Sequence, residues 1–314
     1  MNLDFFTVAS NLISLFALIA VGYAAVRFGI LDDRAAPVFS AFLMKITLPC
    51  TIFISVASRE YDPSFLHDGI TIMIAGLVIF TALLYVSRGL AILFRVPEKS
   101  CGTWAFSATF SNAGFMGFPI ALALFGGDGL ALAVMLNIAF NIVVFTVGVM
   151  EVARDNPARG GQKMSAKSII FSGINIATVL SLISYFGRVN IPNAVATPLT
   201  FLSNITTPLS MTMIGIILAH AKSSEIFRNV HAWLNTLFSL IIYPIGVCLL
   251  LKIFPPSSNP LVAAVLVLVV AMPAASITAV ICELYHGNIN FAVKAMFLQN
   301  LFSVLTIPFI CMFI

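Results

Sequence analysis

The sequence has very little charge: 9% of its 314 residues are Asp, Glu, Lys or Arg, whereas 60% are hydrophobic. Soluble domains carry about a quarter charged residues, so a soluble fold is excluded. In place of charge the chain has long apolar runs, and a mean hydropathy of +1.06 points to a polytopic membrane protein. The net charge of +4 comes from basic residues that lie between those runs and form no cluster, which excludes a nucleic-acid partner.

Catalytic motifs are also missing. There is no zinc-binding His-Glu-x-x-His and no nucleophile elbow. Tyr61-Asp62 and Phe125-Gly126-Gly127-Asp128 only faintly resemble an aspartyl protease pair, since both aspartates fall in connections between runs. The chain is therefore read as a non-enzyme. Cys50, Cys101, Cys248, Cys282 and Cys311 share no metal-ligand spacing and lie in or beside apolar runs, so they read as buried thiols, with no metal or cofactor expected. No basic residue precedes the first apolar run, which argues for a retained first helix and against a cleaved signal peptide.

At about 20 apolar residues per crossing, the runs divide into ten spans. They cover residues 6–27, 36–57, 68–94, 102–125, 129–152, 168–186, 196–220, 232–254, 261–283 and 290–313. The one longer polar connection, 154–167, separates a first five-span half, 1–153, from a second, 168–314. Lys and Arg favour the odd-numbered connections twelve to three, from Arg27 and Arg34 through Arg154 and Lys163 to Lys294, against Arg59, Arg188 and Lys252. The positive-inside rule then places both termini outside the cell membrane and the central loop in the cytoplasm.

Two spans are interrupted. Ser111-Asn112-Ala113-Gly114-Phe115-Met116-Gly117-Phe118-Pro119 breaks the fourth, and Ala271-Met272-Pro273-Ala274-Ala275-Ser276-Ile277-Thr278 breaks the ninth. Backbone groups freed inside a membrane need partners, and interruptions at matching places in two halves point to a transporter's binding site. The halves also share sequence. Phe42-Leu43-Met44-Lys45-Ile46-Thr47-Leu48-Pro49 and Phe201-Leu202-Ser203-Asn204-Ile205-Thr206-Thr207-Pro208 agree at five of eight positions, at an offset of 159. That offset also carries Gly114 onto Pro273 and Asn141 onto Asn300. Five spans per half is an odd number, so the second half is inverted relative to the first. The expected fold is an all-α membrane protein of ten helices in a 5+5 inverted repeat, with broken helices four and nine crossing.

With Asn112-Ala-Gly-Phe-Met-Gly-Phe-Pro119, Pro273 and this plan, the chain resembles the auxin efflux carrier family, which includes plant PIN proteins and bacterial permeases for malonate and similar carboxylates. The short central loop is closer to the bacterial branch. The resemblance implies a fold like that of bile-acid symporters and sodium–proton antiporters. In that fold spans one, two, six and seven form a scaffold that dimerises through helices two and seven. The other spans form an elevator-like transport unit with substrate at the crossover. It also implies a small organic anion, such as malonate, malate or an auxin-like acid, as substrate. An anion channel and a bile-acid-type sodium symporter are the alternatives.

The candidate binding residues are Asn112, Gly114, Met116, Gly117 and Pro119 at the first break, and Pro273, Ala274, Ser276 and Thr278 at the second. Asn137 and Asn141 are four apart on one helix face, and Gln299 and Asn300 lie on span ten. Asn112 can cap freed backbone or contact ligand, and the hydroxyls of Ser276 and Thr278 can satisfy local backbone or face an anion. Lys45 lies roughly 13 Å into span two, where it can counter an anion or snorkel. Many relatives open span six with Asn-Pro. Here Gly173-Ile174-Asn175-Ile176 keeps only the Asn.

The charge count sets a first test. Cysteines introduced at Asp62 and Gln162 should react with an impermeant thiol reagent from outside and inside respectively, and the reverse pattern would overturn the orientation.

Overall fold

The computed structural model describes residues 5–32, 34–59, 62–156, 173–220, 227–275 and 277–314. Among these the regular structure is helical, and the single β-type pairing is an antiparallel bridge between Ser111 and Ala274. In chain order the helices begin with α1 (Phe5–Arg27), α2 (Ala35–Ala57), α3 (Pro63–Leu93) and α4 (Glu98–Thr109). There follow α5 (Ala113–Ala153), α6 (Gly173–Phe186), α7 (Asn193–His220) and α8 (Val230–Ile253). The last are α9 (Pro260–Val270), α10 (Ile277–Leu284) and α11 (Ile289–Cys311). Six of these, α2, α3, α5, α7, α8 and α11, are long and apolar enough to cross a membrane. Helices α6 and α9 are shorter apolar helices.

Helix boundaries mostly follow local chemistry. Helix α3 begins at Pro63, five residues before the span expected from hydropathy, because Asp62 Oδ1 accepts the Ser64 N–H at 2.8 Å and caps it. Helix α5 has 41 residues. At 1.5 Å per residue that is roughly 60 Å, about twice a hydrocarbon core, so it cannot be one straight crossing. It divides at Gly126, whose φ of 66° and ψ of −160° are open only to glycine.

Prolines shape three of the helices. A proline inside a helix lacks an N–H and clashes with the carbonyl four residues back. Pro49, Pro119 and Pro244 each lie two residues beyond a widened π-helical turn: Leu43–Thr47, Ala113–Gly117 and Phe238–Ile242. The wider turn moves the offending carbonyl aside, so the helix continues through the proline. A fourth such turn, Val144–Gly148, has no proline after it, and no local cause for it is visible.

Helices α1 and α7 pack backbone to backbone. A Cβ built on Gly22 would lie 2.0 Å from the Thr212 carbonyl oxygen, and one on Gly215 would lie 2.0 Å from that of Ile19. The two backbones therefore touch directly, a contact open only to small residues. The first break is held by rings: Phe110, just past α4, packs edge-on to Phe140 at 5.7 Å, and Phe140 packs edge-on to Phe80 at 5.5 Å. All five cysteines are free thiols, with Cys50 half-buried and the others buried.

Charged groups fasten the ends of the helices. Asp68 accepts from Ser257 Oγ at 2.6 Å and Asn259 Nδ2 at 2.7 Å, tying α3 to the connection before α9. At the opposite ends Glu151, only 2% exposed, pairs with Arg88 and Arg154. It is thus paired but buried. Asp155 accepts from the Gly102 and Thr103 N–H groups at 2.6 and 2.8 Å and from the Thr103 hydroxyl at 2.6 Å. Burial still pushes its carboxyl up from the usual range, against those hydrogen bonds and Arg88.

The α1–α7 contact gives the second test. Gly215→Val should destabilise the detergent-solubilised protein by about 3 kcal/mol, the upper range for overpacking, because backbone must shift. Gly246→Ala, with nothing within 4 Å of the added carbon, should be neutral in the same thermal unfolding measurement.

Candidate functional site: the helix crossover

The two interruptions meet. The Asn112 N–H donates to the Pro273 carbonyl at 2.6 Å, and the Ala275 N–H donates to the Phe110 carbonyl at 2.9 Å. These bonds are two-fold symmetric about the Ser111–Ala274 pair. The pairing thus sets Ser111 opposite Ala274 and Pro273 opposite Asn112, an offset of 163 (274 − 111) at the crossing. The offset of 159 that aligns Gly114 with Pro273 misses this contact by about one helical turn.

Asn112 caps α5. Its Oδ1 accepts from the Phe115 N–H at 3.1 Å, and its carbonyl accepts from Gly117 at 2.9 Å across the widened turn. The helix therefore starts at Ala113, six residues before Pro119, because asparagine supplies the cap and the widened turn absorbs the proline. The second half-helix begins at Ile277, past Pro273 and Ala274. Asn112 is only 5% exposed, and its Nδ2 donates to no described residue.

Next to the pairing, Gln299 is fully buried and its amide is fully used. Its Oε1 accepts from the Ala274 N–H at 2.6 Å and from Ser239 Oγ at 3.1 Å. Its Nε2 donates to the Ser107 carbonyl at 3.1 Å and to Asn235 Oδ1 at 2.7 Å. Asn235 Nδ2 in turn donates to the Trp104 carbonyl at 2.8 Å. Ser111 Oγ donates to the Val269 carbonyl at 2.5 Å, near the end of α9. This network supplies partners to backbone groups that the breaks release.

The remaining candidates separate. Met116 and Met272 are fully buried, and a Cβ on Gly117 would lie 3.6 Å from Met272. Pro119 is buried as well. Gly114 is half-buried and faces open space, with nothing within 4 Å of a Cβ placed there. Thr278 is fully buried, and its hydroxyl has no partner among the described residues. Ser276 lies outside the described residues. Asn141 Nδ2 donates to Asn175 Oδ1 on α6 at 3.2 Å, so this pair joins α5 to α6. Asn137, 9% exposed, is one turn before it. Asn300 Nδ2 turns back to the Met296 carbonyl at 2.7 Å in its own helix. Lys45 is exposed in the widened turn of α2 and makes no ion pair with a described residue.

Sequence reading missed Ser107, Asn235 and Ser239. Asn235 carried the same signal that identified Asn137, a side-chain amide inside an apolar run; the two serines carried none, since a serine on a buried helix commonly bonds its own backbone.

The family model described as "Membrane transport protein" matches residues 7–170 and 162–311. An uncharacterized transporter of Methanocaldococcus jannaschii is 28% identical over 298 residues, covering 92% of this chain and 93% of that protein. An uncharacterized transporter of Methanothermobacter thermautotrophicus is 24% identical over 306 residues, covering 95% of each chain.

The Gln299 network gives the third test. Gln299→Leu keeps much of the volume but strands the Ala274 N–H and removes the donor to the Ser107 carbonyl and Asn235 Oδ1. The expected loss is about 1–3 kcal/mol per stranded group, read as a lower midpoint in thermal unfolding. An unchanged midpoint would remove the network's structural role.

Proposed function

The chain belongs to the auxin efflux carrier family of membrane transport proteins, and from that premise we propose that it is a secondary transporter of a small organic anion, working by elevator-type alternating access. The observation that carries this reading is the pairing of two helix breaks at Ser111 and Ala274, from which α5 and α10 both start. Each helix N-terminus contributes about half a positive charge, and a dehydrated site magnifies its preference for an anion.

In this reading the ten spans form a 5+5 inverted repeat. Helices α1, α2, α6 and α7 are the scaffold, and the others are the transport unit. The backbone contact of α1 with α7 supports a rigid scaffold. The Asn141–Asn175 hydrogen bond is a polar contact between the two parts, as are the bonds of Tyr185 to Asp62. Phe42 and Met44 on α2 and Phe201 on α7 are exposed apolar side chains of the kind a homodimer through these helices would cover, leaving the rest to lipid. Both termini face outward in the cell membrane.

Substrate sits beside Gly114, where space is open, within reach of the Asn112 amide and the Thr278 hydroxyl. Met116 and Met272 back the site with apolar surface, and Lys45 supplies a full charge from α2. A carboxylate with a partly hydrophobic body fits that combination.

Asn112→Asp separates capping from binding, because the carboxylate keeps the cap but loses the donors and repels an anion. Equilibrium binding of mono- and dicarboxylates to this variant should fall by about tenfold or more, with thermal stability kept. Lys45→Gln should weaken dianions more than monoanions, since the Coulomb energy scales with ligand charge. Unchanged affinities in both variants, or preference for a cation, would refute the site. Saturable uptake into proteoliposomes, with and without proton and sodium gradients, tests the carrier; current linear in substrate concentration would indicate a channel.

A further inference from the structure

A polar cavity lies far from the crossover. It encloses about 170 Å³ and is lined by Ser100, Asn229, His231, Asn288, Asn290 and Lys294, with Val96, Pro97 and Phe291 as its apolar walls. At roughly 30 Å³ per water, that is room for a small oxyanion with a few waters. It opens where α4, α8 and α11 all begin, at the end of α4 opposite the break. The 12 residues of α4 set it roughly 18 Å from Phe110.

We propose that this cavity binds a phosphate-type oxyanion, at a site distinct from the crossover. Among its lining residues Lys294 is the full charge and a cation. His231 lines it too, and its Nδ1 is buried with no hydrogen-bond partner among the described residues. In the chain Arg95 and Lys99 flank the start of α4 as basic residues, with Glu98 as the acidic one between them. Among the described residues no acidic side chain lines the cavity.

The backbone favours the same ligand. Asn229 caps α8 by accepting from the Ala232 N–H at 3.1 Å, and Asn288 caps α11 by accepting from the Phe291 N–H at 3.0 Å. The caps leave the first N–H groups of each helix without intrahelical acceptors, including those of His231 and Asn290. Three positive helix ends thus meet at one small cavity. The caps are themselves fixed: Asn288 Nδ2 donates to Ser100 Oγ at 2.8 Å, and its N–H donates to Thr103 Oγ1 at 3.0 Å. The cavity is therefore held in shape without its ligand.

The test is calorimetric titration of inorganic phosphate into the full-length protein in phosphatidylcholine nanodiscs. Tryptophan fluorescence gives the position of binding, since Trp104 Nε1 donates to the His231 carbonyl at 3.0 Å and Trp233 is two residues further on. Phosphate should bind saturably and perturb the fluorescence. Lys294→Gln should lower the affinity about tenfold. Asn290→Asp, at an exposed position in the first turn of α11 where an acidic residue favours the helix, should lower it at least as far without loss of stability. Asn112→Asp should leave phosphate affinity unchanged. In phosphatidylglycerol nanodiscs, retained binding supports a dissolved ion, and competition supports a lipid phosphate on the same residues. Absence of saturable binding, equal affinity in Lys294→Gln and Asn290→Asp, or a loss confined to Asn112→Asp would overturn the site.

Discussion

A chain that crosses a bilayer repeatedly must satisfy its backbone from within, because the hydrocarbon offers no hydrogen bonds. The rest of this molecule depends on how that demand is met where α4 and α9 stop. The break after Thr109 releases carbonyls behind it and N–H groups ahead of it, and so does the break after Val270. Each is the other's partner: Asn112 and Ala275 donate across to Pro273 and Phe110. What that pair leaves over is taken by Gln299, Ser111 and Asn112 side chains. Two interruptions that would each be costly alone become one stable crossing, with two helix N-termini set beside it.

The same economy explains the prolines. A soluble helix can exclude proline, but a transmembrane one tolerates it when neighbouring groups or a local change of winding absorb the lost bond. Here winding does it at Pro49, Pro119 and Pro244, each preceded by a wider turn. A widened turn also displaces side chains relative to a regular helix, so Lys45 and Asn112 stand where regular helices would not put them. At the crossover the turn allows Asn112 to serve as cap to α5 while Pro119 lies six residues inside it.

Polar chemistry divides between the middle and the ends. The middle uses neutral amides and hydroxyls, which bond backbone at modest desolvation cost. The ends use charges. Arg59 joins Asp128 at 2.5 Å and lies over the Phe65 ring, and Tyr185 holds both the N–H and the carbonyl of Asp62. Glu151 and Asp155 do the same work where α4 and α5 meet, through Arg88 and Thr103. Ion pairs of this kind contribute little energy when exposed, but they fix the connections that set helix order.

Membrane class, helical architecture and the positions of both breaks were legible in the sequence, because each rests on local physics: the length of apolar runs, and glycine, proline and asparagine where a helix should not have them. The family signature from Asn112 to Pro119 was legible too. Tertiary structure alone decided which residues face each other. The repeat offset of 159 was taken from the Pro49 and Pro208 helices, yet the breaks pair at 163, since the residues between them are free to differ in length while the hydrogen bonds must match. It also decided which amides are occupied. Gln299, Asn141 and Asn112 look alike as isolated polar residues in apolar runs. Gln299 is saturated by four partners, Asn141 reaches another helix, and the Asn112 amide oxygen caps its own helix. Periodicity places a side chain on a face of its helix, but a hydrogen bond depends on what lies opposite, and only packing brings that partner into place.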